Sequence, residues 1–177
     1  MVRMEKLLIT GRPGVGKTTL IREVGRALRD EKPVGFYTEE IREEGERKGF
    51  ELVSLDGKRR LLAHIDIEGP FRVGRYGVDL RGFEDFLDSI PWDDPSFQVI
   101  LIDEIGKMEC LSEKFKRIVS RLLDSEKRLI ATIAMKGGGF IAGIKARKDV
   151  RIFEITPKNR NSALGEILQA FGGPKTR

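Results

Sequence analysis

Short apolar runs, separated by charged and glycine-containing segments, recur along the whole chain. The runs of strand length are Lys6–Thr10 and the segments 33–41, 97–104, 128–135 and 150–156. The segment 97–104, FQVILIDE, is almost continuously apolar until its two acidic residues, a pattern typical of a strand buried on both faces of a parallel sheet. We therefore expect these segments to form the central sheet.

Between the predicted strands, apolar residues recur at helical spacing. In the segment 17–30 one face carries Leu20, Ile21, Val24, Ala27 and Leu28. The pattern also predicts helices at 82–90, from a Ser112 cap to residue 124, in a short stretch after the glycines at 137–139, and at 161–171. Strands that alternate with helices predict an α/β fold with a parallel sheet.

Two segments depart from this alternation. Strand-like runs flank Asp56-Gly57, and such a dipeptide between two strands predicts a hairpin, which we expect to add antiparallel strands at one edge of the sheet. The segment 71–80 has glycines that favour a short extended piece and a loop. With 177 residues and no linker, we expect one domain over 1–172 and a loose tail at 173–177.

Charge and composition narrow the function classes. The net charge is +5, but basic and acidic residues alternate, which indicates solvated helix faces and does not favour a nucleic-acid surface. No apolar run reaches the roughly 20 residues that a membrane span needs, and the short N-terminal run does not resemble a signal peptide. With a single cysteine, Cys110, we expect a cytoplasmic protein without membrane association, and a monomer.

A glycine-rich loop carries the clearest chemical signal. The stretch TGRPGVGKTTL fits the pattern G-x-x-x-x-G-K-[ST] between a predicted strand and a predicted helix. Such a loop binds phosphate through backbone N–H groups and a helix N-terminus, while its lysine reaches the β- and γ-phosphates and its hydroxyl binds Mg²⁺. The predicted nucleotide-binding residues of the loop are Gly11, Arg12, Pro13, Gly14, Val15, Gly16, Lys17, Thr18 and Thr19.

Two carboxylates end the predicted strand 97–104. Open α/β sheets place ligands at the carboxyl ends of their strands, so Asp103 is the expected second Mg²⁺ residue beside Thr18. Adjacent carboxylates repel each other unless a cation lies near them. With Asp103 committed to the metal, Glu104 is free to orient or deprotonate a water molecule at the γ-phosphate, an arrangement that favours hydrolysis.

The transition state of phosphoryl transfer also requires positive charge. Arg160 follows the last predicted strand and is the first candidate, with Arg147, Lys107 and Lys136 as others. No N-K-x-D guanine motif is present, so a switch GTPase is not indicated. Two alternatives stay open: a kinase of a nucleoside or small metabolite, and a regulatory ATPase module stimulated by nucleic acid or another partner.

Five stretches of the chain together resemble the THEP-type nucleoside-triphosphatases: GRPGVGKTTLI, VGFYTEEIR, FRVGRYGVDL, LIDEIGKME and RKDVRIFEITPKNRN. The similarity extends from about residue 7 to residue 161. It implies a P-loop domain of the RecA-like, additional-strand class and slow, Mg²⁺-dependent hydrolysis of ATP, GTP, CTP and UTP or TTP to the diphosphate.

The resemblance also implies roles for particular residues. It agrees with the assignments of Lys17 and Glu104, which are the catalytic candidates together with Arg160, the candidate chosen from its position after the last strand. Nucleotide contact is implied along Val99, Ile100, Leu101, Ile102, Asp103, Glu104, Ile105 and Gly106. One segment departs from the family pattern, because AMKGGGF at 134–140 lacks a second basic residue after its Lys-Gly pair, which puts assistance from that loop in doubt.

Overall fold

The computed structural model describes residues 6–171, and within them nine strands form one mixed sheet. The strands are β1 (Lys6–Thr10), β2 (Val34–Glu43), β3 (Glu46–Ser54), β4 (Arg59–His64), β5 (Arg72–Val73), β6 (Tyr76–Val78), β7 (Val99–Ile105), β8 (Arg128–Ile133) and β9 (Arg151–Glu154). The helices are α1 (Lys17–Ala27), α2 (Leu80–Asp88), α3 (Glu113–Asp124), α4 (Gly139–Lys145) and α5 (Ala163–Ala170). The strand order is β5-β6-β4-β3-β2-β7-β8-β1-β9.

The half of the sheet from β2 to β9 is parallel, which confirms the predicted α/β fold class. Its strands are apolar because helices cover both faces. One core cluster joins the sheet to α2, α3 and α4, and a second joins it to α1 and α5. Leu8 in the first cluster and Ile9 in the second are both fully buried, so consecutive residues of β1 serve opposite faces. Because β2, β7, β8, β1 and β9 are parallel, their carboxyl ends and the loops that follow them lie at one edge of the sheet.

The antiparallel part is larger than the predicted edge hairpin. The hairpin at Asp56-Gly57 is confirmed as β3–β4, but β2 also turns back into β3, and β6 and β5 extend the sheet beyond β4. The β2–β3 turn was not predicted because its residues are Glu44 and Gly45. Both have positive φ, 51° and 78°, and a glutamate in that conformation is uncommon.

The helices follow the predicted pattern with small differences at their ends. Helix α1 stops at Ala27, and the rest of the predicted segment tightens into a 3₁₀ turn at Arg29–Glu31. The Ser112 cap is confirmed, since its hydroxyl accepts a 3.0 Å hydrogen bond from Phe115 N. The predicted tail at 173–177 and domain boundary at 172 lie outside the described residues. Over residues 6–171, every helix is too short or too polar to cross a membrane.

Candidate active site

The loop between β1 and α1 has the conformation that its glycines allow. Gly14 and Gly16 have φ of 76° and 111°, which a residue with a side chain adopts only with strain. Val15 between them is buried in the core cluster beneath α1, so it anchors the loop to the domain. Lys17 Nζ donates a 2.7 Å hydrogen bond to Gly11 O, across the mouth of the loop. The lysine ammonium group is thus held over the loop interior.

The Asp103 carboxylate lies at the centre of the site and is almost completely buried. One oxygen, Oδ2, accepts hydrogen bonds from Thr18 Oγ1 at 2.8 Å and from Thr38 N and Oγ1, each at 3.3 Å. The other, Oδ1, accepts one from Thr132 Oγ1 at 2.6 Å. Burial raises the pKa of Asp103, and these hydrogen bonds oppose the rise by favouring the charged form.

Two of the Asp103 partners were not predicted from the sequence. Thr38 belongs to β2 and Thr132 to β8, the strands that flank β7. A threonine within an apolar strand is also an ordinary strand former, so sequence gives only a weak signal. The strand order shows that these two hydroxyl groups support the carboxylate from either side.

Glu104 is half-buried beside Asp103, and its Oε2 lies 4.0 Å from Lys17 Nζ. Burial raises the pKa of Glu104, the charge of Asp103 raises it further, and Lys17 lowers it. A carboxylate with a raised pKa accepts a proton more readily near neutral pH. The geometry therefore suits Glu104 to act on a water molecule above the phosphate loop.

A third acidic residue near the site, Glu109, was also not predicted from the sequence. It is buried, and a methyl group placed on Gly106 would be 2.6 Å from Glu104 Oε1 and 2.9 Å from Glu109 Oε2, so the two carboxyl groups flank this glycine. Burial, and then the charge of Glu104, raise the pKa of Glu109 well above its ordinary value. The sequence signal was a glutamate five residues after Glu104, in the 3₁₀ turn Glu109–Leu111.

These groups line a cleft of about 740 Å³ at the carboxyl edge of the sheet. The predicted site residues that line it are Pro13, Gly14, Gly16, Lys17, Thr18, Thr19, Asp103 and Glu104. The others that line it are Arg22, Thr38, Glu39, Glu40, Arg47, Phe50, Leu62, Val73, Lys107, Met108, Glu109 and Ala134. A volume of this size is typical of a small-molecule site.

Other predicted site residues lie away from the cleft surface. Gly11, Arg12 and Val15 belong to the loop but do not line the cleft. Val99, Ile100, Leu101, Ile102 and Ile105 are buried within the two cores, because β7 is covered on both faces. Gly106 is buried between the two glutamates. The end of β7 thus contributes Asp103 and Glu104 to the cleft, and the preceding part positions them.

The basic residues that were predicted to assist catalysis lie in different parts of the structure. Arg160 is exposed in the loop after β9 and does not line the cleft. Arg147 is held by Asp124 at 2.8 Å and Asp149 at 2.6 Å. Lys107 is exposed and lines the cleft, whereas Lys136 is exposed elsewhere. Of the predicted cations, Lys17 pairs with a carboxylate of the cleft, since its Nζ lies 4.0 Å from Glu104 Oε2.

The donor set fits a magnesium ion that is shared with phosphate. Within residues 6–171, no group of three or more His, Cys, Asp or Glu side chains could hold a metal by itself. Thr18 and Asp103 nevertheless bring a hydroxyl and a carboxylate oxygen within 2.8 Å of each other beside the loop. Mg²⁺ prefers oxygen ligands and is commonly held by one or two protein groups together with substrate phosphates and water.

Known proteins share this architecture. A family model described as NTPase matches residues 6–168. The nucleoside-triphosphatase THEP1 of Thermotoga sp. (strain RQ2) is 51% identical over 94% of this chain and 95% of its own length. The human cancer-related nucleoside-triphosphatase is 40% identical, over 92% of this chain and 94% of its own.

Solved structures agree with the sequence matches. The crystal structure of THEP1 from Aquifex aeolicus matches with a TM-score of 0.82 and 33% identity, covering 94% of this chain and 98% of that one. The solution structure of a human cancer-related nucleoside triphosphatase matches with a TM-score of 0.82 and 36% identity, covering 98% and 99%. These matches confirm the resemblance seen in the motifs. The chain belongs to the THEP1-type nucleoside-triphosphatase family.

Proposed function

We propose that this protein hydrolyses nucleoside triphosphates to the diphosphate and inorganic phosphate with the help of Mg²⁺. The observation that carries the proposal is the convergence of Lys17, Thr18, Asp103 and Glu104 at one end of a single cleft. The names of the relatives, all nucleoside-triphosphatases, support the same activity.

Binding is assigned to the phosphate loop. Its backbone N–H groups and the N-terminus of α1 attract the phosphate oxygens, and Lys17 exchanges its bond to Gly11 O for the β- and γ-phosphates. Thr18 and Asp103 would hold Mg²⁺. When bound, the metal supplies positive charge that neutralises the β- and γ-phosphate oxygens. Thr38 and Thr132 keep the Asp103 carboxylate in place.

Water activation is assigned to Glu104. Its raised pKa makes it a better proton acceptor, and the 4.0 Å separation of its Oε2 from Lys17 Nζ supports a role at the γ-phosphate that Lys17 would bind. The water oxygen forms a bond to the γ-phosphorus while a water proton passes to Glu104. The bond between the γ-phosphorus and the β-phosphate oxygen breaks, and the nucleoside diphosphate and inorganic phosphate leave. Lys17 balances the negative charge that develops on the departing oxygen.

Arg160 is proposed to add positive charge from the loop after β9. This loop adjoins the phosphate loop, because a methyl group placed on Gly11 would lie 2.7 Å from Ile155 O. The Arg160 side chain is exposed and would have to move to reach the phosphates. Its contribution therefore depends on closure of this loop over a bound nucleotide.

Breadth of substrate and cellular context are further parts of the proposal. The chain lacks an N-K-x-D guanine motif, which supports hydrolysis of ATP, GTP, CTP and UTP or TTP alike. Interleaved charge supports action without nucleic acid, and the single cysteine supports a reducing, cytoplasmic compartment. We propose that the active form is a monomer.

The test is phosphate release from ATP, GTP, CTP and UTP by pure protein with Mg²⁺, measured with and without single-stranded nucleic acid. We expect release from all four at rates that nucleic acid does not change. Lys17→Ala should weaken binding and turnover together, and Lys148→Ala, at an exposed position outside the cleft, should leave both unchanged. Release only with nucleic acid would replace the proposal by a partner-stimulated ATPase.

A further inference from the structure

The segment that follows β8 lies between the two halves of the phosphate site. In the sheet, β8 separates β1, which leads into the phosphate loop, from β7, which carries Asp103 and Glu104. Ala134, the first residue after β8, lines the cleft, and its N–H donates a 3.1 Å hydrogen bond to Ile105 O at the end of β7. A cation held at this segment therefore lies between the phosphate loop and the carboxylates.

Helix α4 supplies such a cation, Lys145, from its last turn. Lys145 Nζ donates a 2.8 Å hydrogen bond to the backbone oxygen of Met135, the residue next to Ala134. Ile141 and Ile144 of the same helix are buried in the core cluster that joins α4 to the sheet, so the base of the lysine side chain is fixed. The helix thus holds the ammonium group of Lys145 against the segment that follows β8.

The charge of Lys145 is not balanced by an acidic side chain. Lys145 is half-buried, and among the residues that the structure describes it has no carboxylate partner. The nearby Arg147 differs, since Asp124 and Asp149 both pair with it. Burial lowers the pKa of Lys145, and the charge of Lys17 lowers it further. The second effect requires the two ammonium groups to lie near each other, because repulsion between like charges falls with distance.

Two neighbouring ammonium groups favour an anion between them. A phosphate group in that position removes the repulsion, because opposite charges then alternate. In phosphate loops the lysine reaches the β- and γ-phosphates, whereas backbone N–H groups of the loop hold the α- and β-phosphates. A second cation near Lys17, attached to a segment that lines the cleft, is therefore suited to the γ-phosphate.

We propose that Lys145 is a further catalytic residue of the hydrolysis assigned above, and that its ammonium group binds an oxygen of the γ-phosphate. Lys145 exchanges its bond to Met135 O for this oxygen, as Lys17 exchanges its bond to Gly11 O. The transition state spreads negative charge over the oxygens of the transferred group, and a cation already in place stabilises that charge. Lys145 keeps its proton throughout, and the bonds that form and break are those of the hydrolysis described above.

This role differs from the one proposed for Arg160. Arg160 is exposed in the loop after β9, and its contribution requires that loop to close. Lys145 is instead attached to the segment after β8, on the other side of β1 in the sheet. The two cations therefore approach the phosphate loop from opposite sides, and Lys145 acts without closure of the β9 loop.

The inference rests on the proposed phosphate site, and nucleotide binding tests it without any turnover. The affinities of wild type, Lys145→Gln and Lys145→Arg for ADP and for the β,γ-imido analogue of ATP are measured with Mg²⁺ by calorimetry. Glutamine keeps a hydrogen-bond donor without the charge, and arginine keeps the charge. We expect Lys145→Gln to bind the analogue about tenfold more weakly than wild type does, with its affinity for ADP unchanged. Lys145→Arg should stay near wild type for both, and equal weakening of the two nucleotides, or none, would overturn the inference.

Turnover gives an independent measurement. We expect the kcat of Lys145→Gln to fall about 10²-fold, because one preorganised charge is lost, and Lys145→Arg to recover most of it. Lys148→Ala is the control, since Lys148 is exposed and does not line the cleft. If Lys145 only held Met135 O, glutamine could donate to the same oxygen, and a wild-type kcat in Lys145→Gln would overturn the inference. Absence of phosphate release by the wild type contradicts the proposed hydrolysis instead, while the binding comparison still decides the role of Lys145.

Discussion

Thr18 Oγ1 donates a 2.8 Å hydrogen bond to Asp103 Oδ2, and this bond joins the phosphate loop to the end of β7. The two residues are 85 positions apart in the chain. Two strands, β1 and β7, with β8 between them, bring the loop and the carboxylate together. The pair is thus a product of the sheet order, and it forms the oxygen donor set that we assign to Mg²⁺.

Thr18→Val tests this donor pair, because valine has a similar shape but no hydroxyl group. We expect the Mg²⁺ concentration for half-maximal turnover to rise by at least about tenfold, as when groups around a metal are lost. Thr18→Ser is the matched control, since it keeps the hydroxyl and should stay near wild type. Equal Mg²⁺ requirements in all three proteins would contradict the assignment.

Glu104→Gln separates binding from chemistry. The amide keeps the shape but cannot accept a proton, so kcat should fall by about 10²–10³-fold while binding of the Mg²⁺–nucleotide complex persists. Turnover is followed by phosphate release and binding by calorimetry with a non-hydrolysable analogue. Glu126→Gln, at an exposed position outside the cleft, is the control. Unchanged turnover in Glu104→Gln would remove the water-activating role.

Glu109 should make the stability of the protein depend on pH. Its pKa in the folded state is well above the ordinary value of 4.5, so between these values the folded protein binds a proton that the unfolded chain has lost. The free energy of unfolding therefore decreases as pH rises through this window. The Glu109→Gln variant lacks this titration. Without Mg²⁺, we therefore expect the Tm of Glu109→Gln minus the Tm of wild type to be larger at pH 8 than at pH 4.

One result of this experiment would contradict the prediction for Glu109. An equal Tm difference between Glu109→Gln and wild type at the two pH values would show that the buried carboxyl group does not take up a proton on folding. Glu126→Gln serves again as the control at an exposed position. Measurements are made without Mg²⁺ because a bound cation would change the charge that Glu109 meets.

Gly16→Ala tests the backbone conformation of the phosphate loop. With φ at 111°, an alanine here should lower the free energy of unfolding by about 1–3 kcal/mol and weaken nucleotide binding. Gly165→Ala in α5 is a control for which we expect the opposite effect on stability. That glycine is exposed in a helix, and an added methyl group would meet nothing within 4 Å apart from its chain neighbours and the backbone of its own helix, so alanine should stabilise by about 0.5–1 kcal/mol. Chemical denaturation measures both, and a neutral Gly16→Ala would contradict the strain argument.

Much of the parallel half of the fold was predictable from local pattern. The apolar runs around Leu8 and Ile102 identify strands, because burial on both faces leaves little room for polar side chains. The Ser112 cap was predictable because a cap depends on a side chain and the next few backbone groups alone. The Asp56-Gly57 hairpin was predictable for the same reason, since both strands adjoin the turn.

The antiparallel extension was only partly predictable. Its β2–β3 turn uses Glu44, whose positive φ no sequence rule favours, and β5 has two residues, too few for any periodicity. Such short strands are held by pairing with their neighbours, as Val73 pairs with Tyr76, rather than by their own composition. The part of the cleft lined by Phe50, Leu62 and Val73 depends on this extension and therefore has no sequence signature.

By itself, the sequence determined the chemistry at the phosphate: a glycine loop that ends in Lys17 and Thr18, and two carboxylates at the end of a buried strand. These features are local, so their residue types and spacing suffice to predict them. Only the tertiary structure decided which distant groups meet Asp103 and Glu104. Thr38, Thr132 and Glu109 reach them through strand order and burial, and these depend on how the whole chain packs.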